Sequence, residues 1–216
     1  MKPLFEKYRP ASWPEVVGQD KALARLDILR QRGGLSGRSY FLTGASGTGK
    51  TTIARLIAAE VSEPWNVVEV DGGDVTAGFL DDLERVCHTF GMGADKCGRA
   101  WIVNEAHGLR AAAVRRLLVI LEALPPHCVV VFTTTHDGAD SLWEDHIDAG
   151  PLLSRCIDLP LTTQGLCKAF AARCREIAQA EGLDGQPVEK YERLLKDKGN
   201  NFRAALQAVD SGCMML

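Results

Sequence analysis

The sequence predicts an α/β fold, a mostly parallel sheet with helices on both faces, followed by a small all-helical domain. Three observations carry this. Short apolar runs alternate with segments of helical periodicity up to about residue 161. A glycine-rich loop, GASGTGKT, joins one of those runs to a helix. Beyond Leu161 the strand-like runs stop and only helical patterns remain.

Taken in order, residues 1–38 are a turn-rich opening and then the helical pattern KALARLDILRQ. SYFLTG is a short apolar run ending in glycine, as a buried parallel strand would be. KTTIARLIAAEV has helical spacing, WNVVEVDGG is a second strand and GFLDDLERVCHTF a second core helix. RAWIVNEAH is the third strand. In LRAAAVRRLLVILEAL, Val114, Leu117, Leu118 and Leu121 form one apolar stripe. PPHCVVVFTTT and RCIDLPL complete the strands. The helical patterns at 163–181, 187–198 and 201–211 are punctuated by glycines at 182, 185 and 199. The expected domains are therefore 1–161 and 162–216.

With 216 residues, 46% hydrophobic and 25% charged, the chain is long enough to bury a sizeable core. A net charge of −3 gives no global nucleic-acid signature, so DNA contact would need a local basic patch. No apolar run approaches membrane-spanning length, and MKPLFEKYRP lacks the apolar core of a signal peptide. The seven scattered cysteines include no CxxC pair, which argues for reduced thiols and against zinc. A soluble, cytoplasmic protein is expected.

GASGTGKT, Gly44 to Thr51, fits G-x-x-x-x-G-K-[ST] in full, between a strand and a helix. Gly44, Gly47 and Gly49 permit backbone angles that turn N–H groups inward on phosphate. The helix that follows adds its positive end. Gly44, Ala45, Ser46, Gly47, Thr48, Gly49, Lys50, Thr51 and Thr52 are the expected nucleotide contacts. Lys50 is expected to reach the β- and γ-phosphates, and the Thr51 hydroxyl to ligate Mg²⁺. ATP and Mg²⁺ are the implied ligands.

The third strand ends Ile102-Val103-Asn104-Glu105, where nucleotide-hydrolysing enzymes of this kind usually place an Asp to hold the metal. Asn104 keeps that residue's shape and one acceptor oxygen but loses the charge. It is the second candidate metal contact after Thr51, or a structural amide capping the strand. Glu105 is placed to orient or deprotonate the attacking water.

Several stretches together resemble the clamp-loader branch of the AAA+ ATPases, the replication factor C small subunits and the bacterial gamma/tau subunit. EKYRPASWPEVVGQD resembles the branch's N-terminal segment, which implies that Tyr8, Arg9, Pro10, Val17 and Gln19 lie against the adenine. NEAHGLRAAAVRRLLVILEALPPHCVVVFTTT resembles its second acidic motif, following helix and sensor-1 strand, with Thr135 at the sensor position and Thr134 offering the same hydroxyl one residue earlier. A threonine-rich strand end is the plainer reading of that run. Ser154-Arg155-Cys156 resembles the SRC motif, which implies that Arg155 acts in trans on a neighbour's γ-phosphate; a surface salt bridge is the alternative. KGNNFRAAL resembles the sensor-2 segment, with Arg203 as its arginine or simply as a solvated one. The implied fold is a P-loop AAA+ core with a parallel sheet flanked by helices, plus a C-terminal helical lid, with ATP bound between them.

The departures are Asn104, Val119 where a basic residue is usual, a longer segment over 136–151, absent zinc cysteines and no sequence for the family's C-terminal collar. The resemblance implies a slow ATPase working in an oligomer on DNA or a sliding clamp, with Arg110, Arg115 and Arg116 as candidate phosphate contacts. Two rivals remain, a non-hydrolysing ATP-gated assembly switch and a AAA+ regulator of transposition or another mobile-element process. If lost charge at Asn104 is what slows turnover, Asn104→Asp is expected to raise it.

Overall fold

The computed structural model describes residues 2–135 and 149–215. The longer 136–151 segment lies almost wholly outside the described residues. Packing divides the chain into two compact units. One comprises Lys21–Gly44 and Lys50–Pro160; the other comprises Met1–Asp20, Ala45–Gly49 and Leu161–Leu216. This partition assigns the first residues to the helical unit, whereas the sequence reading grouped 1–161 together.

The sheet unit holds five strands: β1 (Arg38–Thr43), β2 (Val67–Asp71), β3 (Arg99–Asn104), β4 (Cys128–Thr134) and β5 (Cys156–Pro160). Their order is β2-β3-β4-β1-β5, and every pair in that sheet is parallel. The middle strands are buried on both faces, with all seven β4 residues hidden, as a central parallel strand requires. At one edge, β2 is largely open, with no fully buried residue. The helices of this unit are α2 (Asp20–Gln31), α3 (Lys50–Val61), α4 (Ala77–Cys87) and α5 (Ala111–Glu122), with the short α6 (Ala149–Ser154). The Thr76 hydroxyl caps α4 by accepting from Phe79 N–H. Phe41, Trp101, Phe132, Val114 and Leu117 are among the residues of its main apolar cluster, each worth about 1.5–3 kcal/mol relative to exposure.

In the helical unit, α7 (Cys167–Ala180), α8 (Val188–Asp197) and α9 (Phe202–Asp210) surround Phe170, Cys174, Tyr191 and Leu206. The short α1 (Leu4–Lys7) joins them: Leu4 is buried in that cluster and Tyr8 packs against it. Leu4 N–H donates to Asp210, while Lys7 and the Tyr8 hydroxyl both bond Glu181. Asn201 caps α9 by accepting from Ala204 N–H.

Candidate nucleotide-binding site

In the sheet unit, β4 lies between β1 and β3, so three neighbouring strand ends open on the same side. Ligands of parallel α/β sheets bind at those carboxyl ends. From the end of β1 the glycine loop begins at Gly44, and α3 starts at Lys50. Lys50 is 8% exposed and its Nζ donates to Gly44 O at 2.8 Å, an amine curled back over its own loop. Thr48 closes the turn, its Oγ1 donating to Ala45 O at 2.9 Å. Gly47 and Gly49 hold φ of 78° and 96°, left-handed angles that a side chain resists. Within the helical unit, a Cβ added at Gly47 would also collide with Asn201 Oδ1.

Asn104 is the hub of the strand ends. Its Oδ1 accepts from Thr51 Oγ1 at 3.4 Å and from Thr133 Oγ1 at 3.0 Å. Its Nδ2 donates to Glu69 Oε1 at 2.7 Å. Glu69 in turn receives two bonds from Arg55, at 2.9 and 3.1 Å.

Glu105 follows in a left-handed conformation, φ 48° and ψ 52°, with its side chain 52% exposed. Its carbonyl lies where a Cβ on Gly72 would sit, 2.5 Å away, so glycine there makes room for the turn. His107 Nδ1 lies 3.6 Å from the Glu105 carboxylate and 2.9 Å from Thr134 Oγ1. Of the threonine run, Thr133 and Thr134 are thus buried and bonded to Asn104 and His107, and Thr135 follows the strand.

Gln19, in the helical unit, is buried at φ 64°. Its amide bonds Thr48 O at 3.2 Å and both backbone groups of Thr162, at 2.8 and 3.1 Å. Tyr8, Arg9, Pro10 and Val17 are partly buried in the same unit. The adjacent Gly18 faces Leu166 so closely that a Cβ would lie 2.6 Å from it. Arg203 is exposed with its guanidinium 5.5 Å from the Phe5 ring.

Arg155 is engaged within its own chain: Nε donates to Glu122 Oε1 at 3.1 Å, Nη2 bonds the same carboxylate, and Nη1 donates to Pro151 O at 2.9 Å. Of the candidate DNA arginines, Arg116 pairs with Asp81 and Glu84 at 2.6 and 2.8 Å, whereas Arg110 is exposed.

The residues present suit a nucleotide with Mg²⁺. The loop is a cradle that side chains at Gly47 or Gly49 would spoil, and Thr51 Oγ1 with Asn104 Oδ1 offers hard oxygen donors. Among the described residues no group of three or more His, Cys, Asp or Glu could hold a metal by itself. Mg²⁺ fits this arrangement because it keeps waters and takes phosphate oxygens.

The family model for the ATPase family associated with various cellular activities (AAA) matches residues 40–149, which span the glycine loop, Asn104, Glu105 and the β4 threonines. This chain belongs to the AAA family. The AAA chain is 30% identical over 155 residues to the DNA polymerase III subunit gamma/tau of Mycobacterium tuberculosis, covering 61% of itself and 27% of that protein. To the tau subunit of Bacillus subtilis it is 28% identical over 233 residues, covering 96% of itself and 38% of the relative. It is 28% identical over 213 residues to the replication factor C small subunit of Archaeoglobus fulgidus, covering 94% of itself and 61% of that protein. These relatives bear out the resemblance to the clamp-loader branch, and the AAA chain spans less than two thirds of each. The fold is shared with RuvB of Thermotoga maritima, a Holliday junction branch migration motor, at a TM-score of 0.67 and 23% identity over 94% of this chain and 64% of that one. No described helix is long and apolar enough to cross a membrane.

Sequence reasoning did not single out Glu69, Arg55, His107 or Asn201. The alternation in VVEVD places Glu69 and Asp71 on one face of β2, but only the pairing of β2 with β3 shows that this face meets Asn104.

Proposed function

We propose that this chain binds ATP with Mg²⁺ and hydrolyses it slowly, as a cytoplasmic subunit of an oligomer acting on DNA or on a sliding clamp. The observation that carries the reading is the convergence of Lys50, Thr51, Asn104 and Glu105 at adjacent strand ends, in a chain of the AAA family. The loop N–H groups and the positive end of α3 receive the phosphates, and the Lys50 ammonium moves from Gly44 O to the β- and γ-phosphate oxygens. Thr51 Oγ1 and Asn104 Oδ1 would hold Mg²⁺, which would supply charge neutralisation at those oxygens. Water attacks the γ-phosphorus in line with the leaving ADP oxygen, positioned by Glu105, whose approach is braced by His107 and Thr134. The products are ADP and phosphate.

Arg155 serves a neighbouring subunit's γ-phosphate, where a planar, permanently charged guanidinium offsets developing charge. To do so it must leave Glu122, so the ion pair holds the finger in reserve. Gln19, Tyr8, Arg9, Pro10 and Val17 are offered to the base, and Arg203 to the phosphates. The relatives' names support the clamp-loading setting.

The test is phosphate release as a function of protein concentration, with and without DNA, beside Glu105→Gln and Arg155→Ala. Turnover that rises faster than linearly and vanishes in both variants is expected. A second reading, an ATP-gated switch without hydrolysis, draws on the neutral Asn104; ATP binding with no turnover at any concentration would establish it.

A further inference from the structure

A chain of four hydrogen-bonded side chains, both of its ends on α3, ties that helix to β2 and β3. Thr51 and Arg55 stand four residues apart on α3, which places them on one helix face. Arg55 grips Glu69 on β2 with two hydrogen bonds, Glu69 accepts from the Asn104 amide at 2.7 Å, and Asn104 Oδ1 returns to Thr51 at 3.4 Å.

An isolated asparagine can present either end of its amide to a cation. Here the Glu69 carboxylate, an acceptor only, takes the NH₂ end, and the Thr133 hydroxyl at 3.0 Å sits on the oxygen side. The oxygen is therefore aimed at Thr51, the residue expected on Mg²⁺. The carboxylate missing from position 104 stands one hydrogen bond away, at Glu69. It polarises the amide and raises electron density on Oδ1, as a carboxylate does behind a metal-bound histidine.

Resting on the ATPase reading above, we infer that Glu69 is the positioning residue of the Mg²⁺ site, acting through Asn104, and that this site is built for an asparagine rather than an aspartate. An aspartate in the same place would put an acceptor where the amide now donates, setting two like-charged carboxylate oxygens about 2.7 Å apart with no hydrogen between them. Restoring the usual acid by itself is then harmful, which reverses the expectation drawn from charge alone.

The experiment measures affinity for a fluorescent ATP analogue, with Mg²⁺ and with EDTA, for the full chain and for Glu69→Gln, Asn104→Asp and the double variant. The wild type is expected to bind more tightly with Mg²⁺. Removing one outer partner typically costs about 10-fold in metal affinity, so Glu69→Gln is expected to lose about that factor in Mg²⁺-dependent affinity and little in EDTA. Asn104→Asp alone is expected to lose a similar factor. The double variant regains it, because the neutral amide now sits beside a single carboxylate. Tighter Mg²⁺-ATP binding by Asn104→Asp alone would overturn the inference. So would a Glu69→Gln loss equal with and without Mg²⁺, which marks a purely structural role, or no change in that variant. A wild type that binds no ATP would sink the ATPase reading itself and this inference with it.

Discussion

Glu105 holds a left-handed backbone that costs a non-glycine residue about 1–2 kcal/mol. Gly72 allows it, since a Cβ there would lie 2.5 Å from the Glu105 carbonyl oxygen. The carboxylate is thereby turned toward His107 instead of continuing the strand. Glu105→Gly relieves that strain. It is expected to raise the stability of the sheet unit by about 0.5–1 kcal/mol, read as a higher melting temperature, while abolishing turnover. A melting temperature lower than that of Glu105→Gln would show that the conformation carries no strain. Asn104 makes the complementary point, because its meaning lies in the Glu69 carboxylate behind it and not in the residue type alone.

Among the elements, β1, β3 and β4 were legible because strands buried on both faces are continuous apolar runs. The helices α3, α4, α5 and α7 to α9 were legible from their periodicity and, in the helical unit, from the glycines between them. The short α1 was not, since four residues carry no period. The loop motif, Asn104 and Glu105 were legible because their chemistry is fixed by local spacing. Glu69 was hidden because its partner sits 35 residues away and depends on strand order. Burial of the strands and of α7 also sets thiol chemistry. Burial pushes Cys128 on β4 and Cys174 on α7 up to about 12, and Cys156 on β5 to about 11. Cys97 is the exposed one. Brief alkylation of the native protein near pH 8 is expected to label Cys97 first, with Cys128 and Cys174 reacting only after unfolding, as peptide mass mapping would show. Early labelling of Cys128 would contradict the packing of β4.

At the scale of the whole molecule, the helical unit depends on the chain's first residues. Leu4 is 2% exposed among Phe170, Tyr191 and Leu206, so Leu4→Ala is expected to cost this unit about 2–4 kcal/mol. Amide exchange should quicken in α7 to α9 and leave β1, β3 and β4 protected; uniform loss of protection would mean that the two units unfold as one. Glu181 adds a pH dependence. Its hydrogen bond from Lys7, then that from Tyr8, holds its carboxyl below the ordinary 4.5. A depressed acid stabilises the fold above its unfolded value and loses that contribution as pH falls through the folded one. The melting temperature of the helical unit is therefore expected to drop below about pH 4.5, with a shallower acid limb in Glu181→Gln. On the alkaline side, Lys7 is raised by the same bond, so its share persists to pH values above 10.5.

The burial of Leu4 also sets a timetable for biosynthesis. A ribosome delivers Leu4, Phe5 and Tyr8 first, yet the surfaces that cover them come from residues beyond Leu161. The sheet unit, Lys21–Gly44 with Lys50–Pro160, can close while those apolar side chains are still waiting. Throughout that interval Leu4, Phe5 and Tyr8 stay uncovered ahead of the sheet unit, an address for any chaperone stationed at the exit tunnel.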